Sequence, residues 1–254
     1  MGKNQGGITE KIVMRIQWLK YALISTIIIG VIGMCVDFSN SDDSNYKQKR
    51  EEMVSMQIMR RGVSDERVLN AMRTVERHLF VPEHQMPFAY EDYPLPIGYN
   101  QTISQPYIVA LMTELLKLEG NDTVLEVGTG SGYQAAVLAE IGCKVYTIEI
   151  VPELAESARI NLEKRGYINI KVKAGDGYKG WEEYAPFDAI IITAAAEEVP
   201  PPLIEQLREG GRMVVPVDVD FGYQMLKVIS KGENGNIHEK DTIPVRFVPL
   251  VRKK

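Results

Sequence analysis

Val124-Leu125-Glu126-Val127-Gly128-Thr129-Gly130-Ser131-Gly132, residues 124–132, is an apolar strand that ends on an acid and runs into a glycine-rich turn opening a helix. Glycines at a strand-to-helix turn accept positive φ and let backbone N–H groups come close to a ligand, while the helix starting near Gly132 aims its positive dipole end at the same place. The stretch predicts a cofactor of nucleotide type held over a βα turn. Its spacing is G-x-G-x-G, with Tyr133 standing where the dinucleotide fingerprint G-x-G-x-x-G carries its last glycine.

The strands that follow sharpen the reading. Lys144-Val145-Tyr146-Thr147-Ile148-Glu149 ends in an acid placed to hydrogen-bond both hydroxyls of a ribose, and a third strand, Asn169 to Ala174, ends in Gly175-Asp176-Gly177. Glu126, Glu149 and the third acid would repel a pyrophosphate but suit a cationic ligand that carries a ribose and an amino acid. S-adenosylmethionine is such a ligand. Two other readings compete: a nicotinamide dinucleotide site, and ordinary βα turns whose acids are merely solvated.

Beyond Asn121 the pattern alternates: strand 123–127, helix 132–141, strand 144–148, helix 152–165, strand 170–174, strand 187–192, helix 201–208, strand 211–217. Strands separated by such helical runs predict a doubly wound, mostly parallel α/β sheet of Rossmann-like type. Pro200-Pro201-Pro202 is expected to open the last helix and Gly210-Gly211 to close it. The apolar runs 224–230 and 242–251, separated by Gly232-Glu233-Asn234-Gly235-Asn236, predict an antiparallel pair at the far edge, completing seven strands.

Upstream, Met53 to Val75 repeats apolar residues at helical period, with Gly62 and Ser64-Asp65-Glu66 marking a stop and a new N-cap, so two short amphipathic helices are expected. Phe88 to Asn100 is too rich in proline for a helix and too aromatic for an idle linker. It runs into Gln101-Thr102-Ile103-Ser104-Gln105-Pro106-Tyr107, where Ser104 is placed as an N-cap and Pro106 in the first turn of a helix reaching Leu116. Free N–H groups and a hydroxyl at a helix start suit a carboxylate; a capping serine and nothing more is the alternative.

Composition bounds the rest. The chain has 254 residues, a formal net charge of −5 and a pI near 5.4, which gives no electrostatic footprint for nucleic acid. Two cysteines, Cys35 and Cys143, provide no disulfide framework, and His78, His84 and His238 lack ligand spacing, so no metal site is expected. Tyr21 to Val36 is an uncharged run of 16 residues. At roughly 1.5 Å per residue it reaches about 24 Å, against a hydrocarbon core of about 30 Å. Adding Trp18 at the interface and a snorkelling Lys20 makes 18–36 just long enough for an uncleaved anchor. A removed signal is the rival reading. A cofactor kept in the cytosol places the catalytic part on the cytosolic side, possible tethering included, with export disfavoured.

Taken together, the chain from about Met53 to Val251 resembles the protein-L-isoaspartate O-methyltransferases, S-adenosylmethionine-dependent enzymes of protein repair. The resemblance is carried by Pro94-Leu95-Pro96-Ile97-Gly98, by Gln101 to Ala110, by the glycine turn, by Phe187-Asp188-Ala189-Ile190-Ile191-Ile192-Thr193-Ala194-Ala195-Ala196 and by Val245-Arg246-Phe247-Val248-Pro249-Leu250-Val251. It implies cofactor contacts from Glu126, Gly128, Thr129, Gly130, Ser131 and Gly132, from Glu149 on the ribose, and from Asp176 and Gly177 near the adenine. It also implies that Ser104 belongs to the active site, with Thr102, Ile103 and Ser104 orienting an isoaspartyl carboxylate and Tyr99 on a possible lid. Asn100 departs from the family's usual glycine, though asparagine tolerates the left-handed region.

The expected organisation is a basic segment (1–17), an anchor or signal-like helix (18–36), a linker (37–46), a helical subdomain with the substrate loop (47–120) and the methyltransferase core (121–254) of a monomeric protein acting on isoaspartyl peptides and proteins. A small-molecule methyltransferase and a non-catalytic, membrane-tethered cofactor-binding protein are the rival functions. The first would want a deep apolar pocket with a base.

Overall fold

The structure, a computed structural model, describes residues 44–219 and 222–252. The chain divides into two units, 1–48 and 49–254. Of the first unit only 44–48 are described; they are helical, so helix begins inside the stretch expected as a linker. The apolar run 18–36 lies outside the described residues, and among those no helix is long and apolar enough to cross a membrane.

In the second unit the helical start is broken twice before α1 (Glu66–Thr74). A wide π turn, Met53–Ile58, leads to Gly62 at φ 99°, and Asp65 then caps α1 by accepting from the Arg67 N–H at 2.9 Å. The helix buries Val68, Leu69, Ala71 and Met72, spaced at three and four as the sequence pattern requires.

The proline-rich loop proves more ordered than expected. Leu95–Gly98 (β1) and Gln101–Ile103 (β2) pair antiparallel through a two-residue turn in which Tyr99 and Asn100 both take positive φ, 52° and 57°. Such turns match the right-handed twist of a hairpin, and Pro96 is tolerated because a two-stranded ribbon is all edge. The helix α2 (Pro106–Leu116) follows, with Gln105 rather than Ser104 at its N-cap and no side chain capping it. Pro106 occupies the first helical position, where its missing N–H costs nothing.

The remaining elements are β3 (Thr123–Val127), α3 (Tyr133–Glu140), β4 (Lys144–Glu149), α4 (Pro152–Lys164), β5 (Ile170–Ala174), β6 (Phe187–Ile192), α5 (Pro201–Gln206), β7 (Leu207–Val219), β8 (Tyr223–Lys231) and β9 (Ile237–Val245). The seven strands β3 to β9 form one sheet in the order β5-β4-β3-β6-β7-β8-β9, parallel through β7 and antiparallel at β8 and β9. Leu125, Val127, Ile148, Ile190 and Ile192 are buried at its centre.

Two boundaries differ from the sequence pattern. The helix opened by the prolines stops at Gln206, and Gly210 and Gly211 lie inside β7, where the register with β6 shifts between Phe187 and Ala189. A bulge, not a helix C-cap, is what these glycines serve. The last strand runs 237–245 rather than 242–251, and the chain after Val245 leaves the sheet.

Candidate active site

The strand order fixes where a ligand can sit. β3 has β4 on one side and β6 on the other, so the order reverses there and a crevice opens beyond the strands' C-terminal ends. A pocket with about 780 Å³ of empty space, part of it open to solvent, occupies this crevice. The turn after β3 contributes Gly128, Thr129, Gly130 and Ser131; the end of β4 contributes Ile148, Glu149 and Ile150; Thr193 and Ala194 follow β6. Gln101 to Ser104 form one wall, Val248 to Val251 another, and Gly177 also lines it.

Backbone and side chains hold the turn rigidly. Gly128 sits at φ 100°, and a Cβ there would collide with Thr193 Oγ1. That hydroxyl is shared between the Val127 and Gly128 carbonyls at 3.1 and 2.7 Å. A Cβ on Gly177 would strike Val127 Cγ1, and one on Gly130 would come within 3.3 Å of Ile97. Gly132, at φ 88°, is the N-cap of α3 and packs on Leu162. The glycines are therefore required by positive φ and by close packing against Thr193, Val127, Ile97 and Leu162, which keeps the turn's backbone at the pocket wall.

Glu149 is nearly buried, and its carboxylate already serves the turn: Oε2 accepts from the Gly130 N–H at 2.8 Å and Oε1 from the Val151 N–H at 3.0 Å. Each oxygen keeps a second acceptor position, which suits a vicinal diol. Beneath it, the hydroxyls of Thr129 and Thr147 meet at 2.6 Å.

Glu126 and Asp176 do not line the pocket. Glu126 lies one residue inside β3, in register with Thr147 of β4 and Ile191 of β6, completely buried and, among the described residues, with no hydrogen-bond partner for either carboxyl oxygen. Burial raises its pKa to about 8; the Thr147 hydroxyl offsets a part, and the Glu149 charge adds to it. Glu126 thus carries a proton at neutral pH. Asp176 accepts from the Tyr178 N–H at 3.1 Å and caps a short turn, leaving only the neighbouring Gly177 on the wall. Of the three acids expected at successive strand ends, Glu149 lines the pocket, while Glu126 is buried in β3 and Asp176 caps the turn beside Gly177.

These residues fit an adenosyl sulfonium. Glu149 offers diol acceptors, Gly128, Gly130 and Gly177 bring bare backbone to the wall, and the buried Glu126 carboxyl, without a hydrogen-bond partner among the described residues, is a group that a bound cation would satisfy electrostatically. Among the described residues, no group of three His, Cys, Asp or Glu side chains could hold a metal ion.

A wider groove, about 1640 Å³ and open, adjoins the pocket. Thr102, Ser104, Thr193, Val248 and Pro249 line both. Ser104 is half-buried, its carbonyl accepting from Arg77 Nη2 at 2.7 Å. The side chain of Ile103 is buried below the wall, and Tyr99 stands exposed at the hairpin tip, lining neither cavity.

Sequence reasoning assigned no site role to Thr193 or to Val248–Val251. The signal was in the quoted runs Phe187–Ala196 and Val245–Val251, but the second was read as strand. In fact the Ala195 N–H donates to the Val248 carbonyl at 2.8 Å and the Leu250 N–H to the Ala195 carbonyl at 2.7 Å, which folds the tail over the pocket mouth.

The family model described as protein-L-isoaspartate(D-aspartate) O-methyltransferase matches residues 48–254. A protein-L-isoaspartate O-methyltransferase of Opitutus terrae is 56% identical over 206 residues, covering 81% of this chain and 88% of that protein. A protein-L-isoaspartate O-methyltransferase 2 of Syntrophobacter fumaroxidans is 49% identical over 235 residues, 92% of this chain and 95% of that protein. Among solved structures, one named protein-L-isoaspartate O-methyltransferase has 31% identity and a TM-score of 0.73 over 79% of this chain, which spans 65% of its length. A putative protein-L-isoaspartate O-methyltransferase from Plasmodium falciparum in complex with S-adenosyl-L-homocysteine has 28% identity and a TM-score of 0.71, covering 80% of this chain and 99% of that one.

Proposed function

The chain belongs to the protein-L-isoaspartate(D-aspartate) O-methyltransferase family, and from that premise we propose that it binds S-adenosylmethionine in the pocket at the glycine turn and methylates isoaspartyl carboxylates presented from the adjoining groove. The observation that carries this is the seam: Thr102, Ser104 and Thr193 face both cavities, so the two reactants meet there. S-adenosylmethionine supplies a methyl group on a positively charged sulfur.

The seam residues explain what the protein adds. An isoaspartyl α-carboxylate, with a pKa near about 4, is already ionised at neutral pH and needs no general base. None of the residues lining both cavities titrates near neutrality, which agrees with that requirement and disfavours a small-molecule hydroxyl as nucleophile. The Ser104 hydroxyl makes no hydrogen bond among the described residues and is free to orient the carboxylate. Ser104 and Thr102 thus hold the nucleophile in place, while the tail Val248–Leu250 and Ile103 keep water from the reaction path.

The test is methyl transfer to an isoaspartyl peptide against its aspartyl twin. Transfer to the isoaspartyl peptide alone is expected; equal labelling of both, or of neither, refutes the reading. Ser104→Ala should lower turnover about 10- to 150-fold, the loss of one hydrogen bond to a charged group, with cofactor affinity unchanged. We also propose that residues 18–36 tether the catalytic unit to a membrane from its cytosolic side, which their uncharged apolar run supports. Recovery of the full chain wholly in the soluble fraction would refute this.

A further inference from the structure

We propose that Arg77 is a positioning residue for methyl transfer that acts through Ser104, clamping both roots of the hairpin segment against the cofactor pocket; the inference rests on the reading of Ser104 given above. Arg77 lies in the short turn after α1, is fully buried, and has no carboxylate partner among the described residues. A buried cation without a counter-charge is costly and is retained where its geometry serves a purpose. Here Nε donates to the Ala89 carbonyl and Nη2 to the Ser104 carbonyl, both at 2.7 Å.

Ala89 closes the short helical turn Glu83–Phe88, upstream of the hairpin, and Ser104 directly follows the hairpin's second strand. One planar guanidinium therefore pins the entry and the exit of the 90–103 segment, which a single-point donor such as lysine cannot do. Its Cζ lies over the ring of Tyr133, 4.8 Å from the centroid, and Tyr133 is both the first residue of α3 and part of the pocket wall. The clamp thus references the substrate-orienting serine to the helix that opens at the glycine turn. Fixing the Ser104 carbonyl toward Arg77 sets the peptide plane from which its side chain reaches the seam. Among the described residues Nη1 has no hydrogen-bond partner, so the guanidinium is held by the two carbonyls and by Tyr133.

The experiment compares the full chain with Arg77→Lys, Arg77→Gln, Ser104→Ala and the Arg77/Ser104 double variants. Each is measured for kcat and KM with an isoaspartyl peptide, for cofactor Kd, and for folded fraction. Arg77→Lys is expected to lower kcat per folded molecule at least about tenfold, with cofactor Kd within about threefold. In the Ser104→Ala background the same change should cost less than about twofold, because the device it serves is already gone. Equal losses in both backgrounds, or an unchanged kcat per folded molecule, overturn the proposal. Should Arg77→Lys not fold, Arg77→Gln carries the same cycle. An unaltered kcat in Ser104→Ala alone overturns the reading of Ser104 and this inference with it, whereas a large Ser104→Ala effect with additive Arg77 losses overturns the inference only.

Discussion

Replacing Glu126, buried in β3 behind the pocket wall, by glutamine should change the pH dependence of stability markedly. The carboxyl is completely buried without a hydrogen-bond partner among the described residues, and burial raises its pKa from 4.5 to about 8. A raised acid pKa means that the folded state keeps a proton that the unfolded state releases, so stability is greatest below pH 4.5 and falls steadily up to about pH 8. At about 1.4 kcal/mol per pH unit the loss is about 3 kcal/mol by pH 7 and about 5 kcal/mol above pH 8, where it levels off. Glu126→Gln keeps the shape and lacks the titration, so its curve should lie flat where the parent's descends. Urea unfolding from about pH 5 to 9 reads this directly. Bound cofactor adds a second readout: a cation above Glu126 favours its ionised form, so binding near neutral pH releases a proton, seen by calorimetry in buffers of different ionisation enthalpy. Parallel stability curves for parent and variant, with no proton released on binding, would refute the assignment of a neutral acid buried in β3 behind the pocket wall.

Other substitutions probe the walls. Glu149→Ala removes the acceptor of the Gly130 and Val151 N–H groups as well as the diol contact, and should weaken cofactor binding by about 1–3 kcal/mol; an unchanged Kd in calorimetry removes Glu149 from the site. Gly128→Ala forces a Cβ onto Thr193 Oγ1 at a positive φ and should cost about 1–3 kcal/mol of stability together with most cofactor affinity, whereas full binding would show that the turn is looser than its hydrogen bonds imply. Tyr99→Asn places a residue that tolerates φ 52° at the hairpin tip and should raise stability by about 0.5–1 kcal/mol while leaving methyl transfer within about twofold; a large loss of turnover would make Tyr99 part of the substrate site after all.

What the amino-acid sequence disclosed depended on how local each signal is. The parallel strands, the glycine turn and the prolines of α5 announce themselves within a few residues, and the strand order then places the pocket at the reversal between β3 and β6 without further information. Glu126 was read as a ligand acid because it stands next to the glycines, yet one residue of depth in a strand moves a carboxyl from the wall to the interior and reverses its charge state. Proline concealed the hairpin, since Pro96 is acceptable only in a ribbon with no strand beyond it. The apolar tail after Val245 looked like more strand because hydrophobicity does not distinguish a sheet edge from a flap bonded to Ala195. Arg77 left no trace at all. Its partners are carbonyls, which every residue has, so only the fold reveals that they belong to Ala89 and Ser104, one on each side of the substrate loop. The cofactor half of the site is thus written in side-chain pattern, while the half that aligns the nucleophile is written in backbone contacts, and the second should tolerate conservative changes at Arg77 less well than its position in an unremarkable turn suggests.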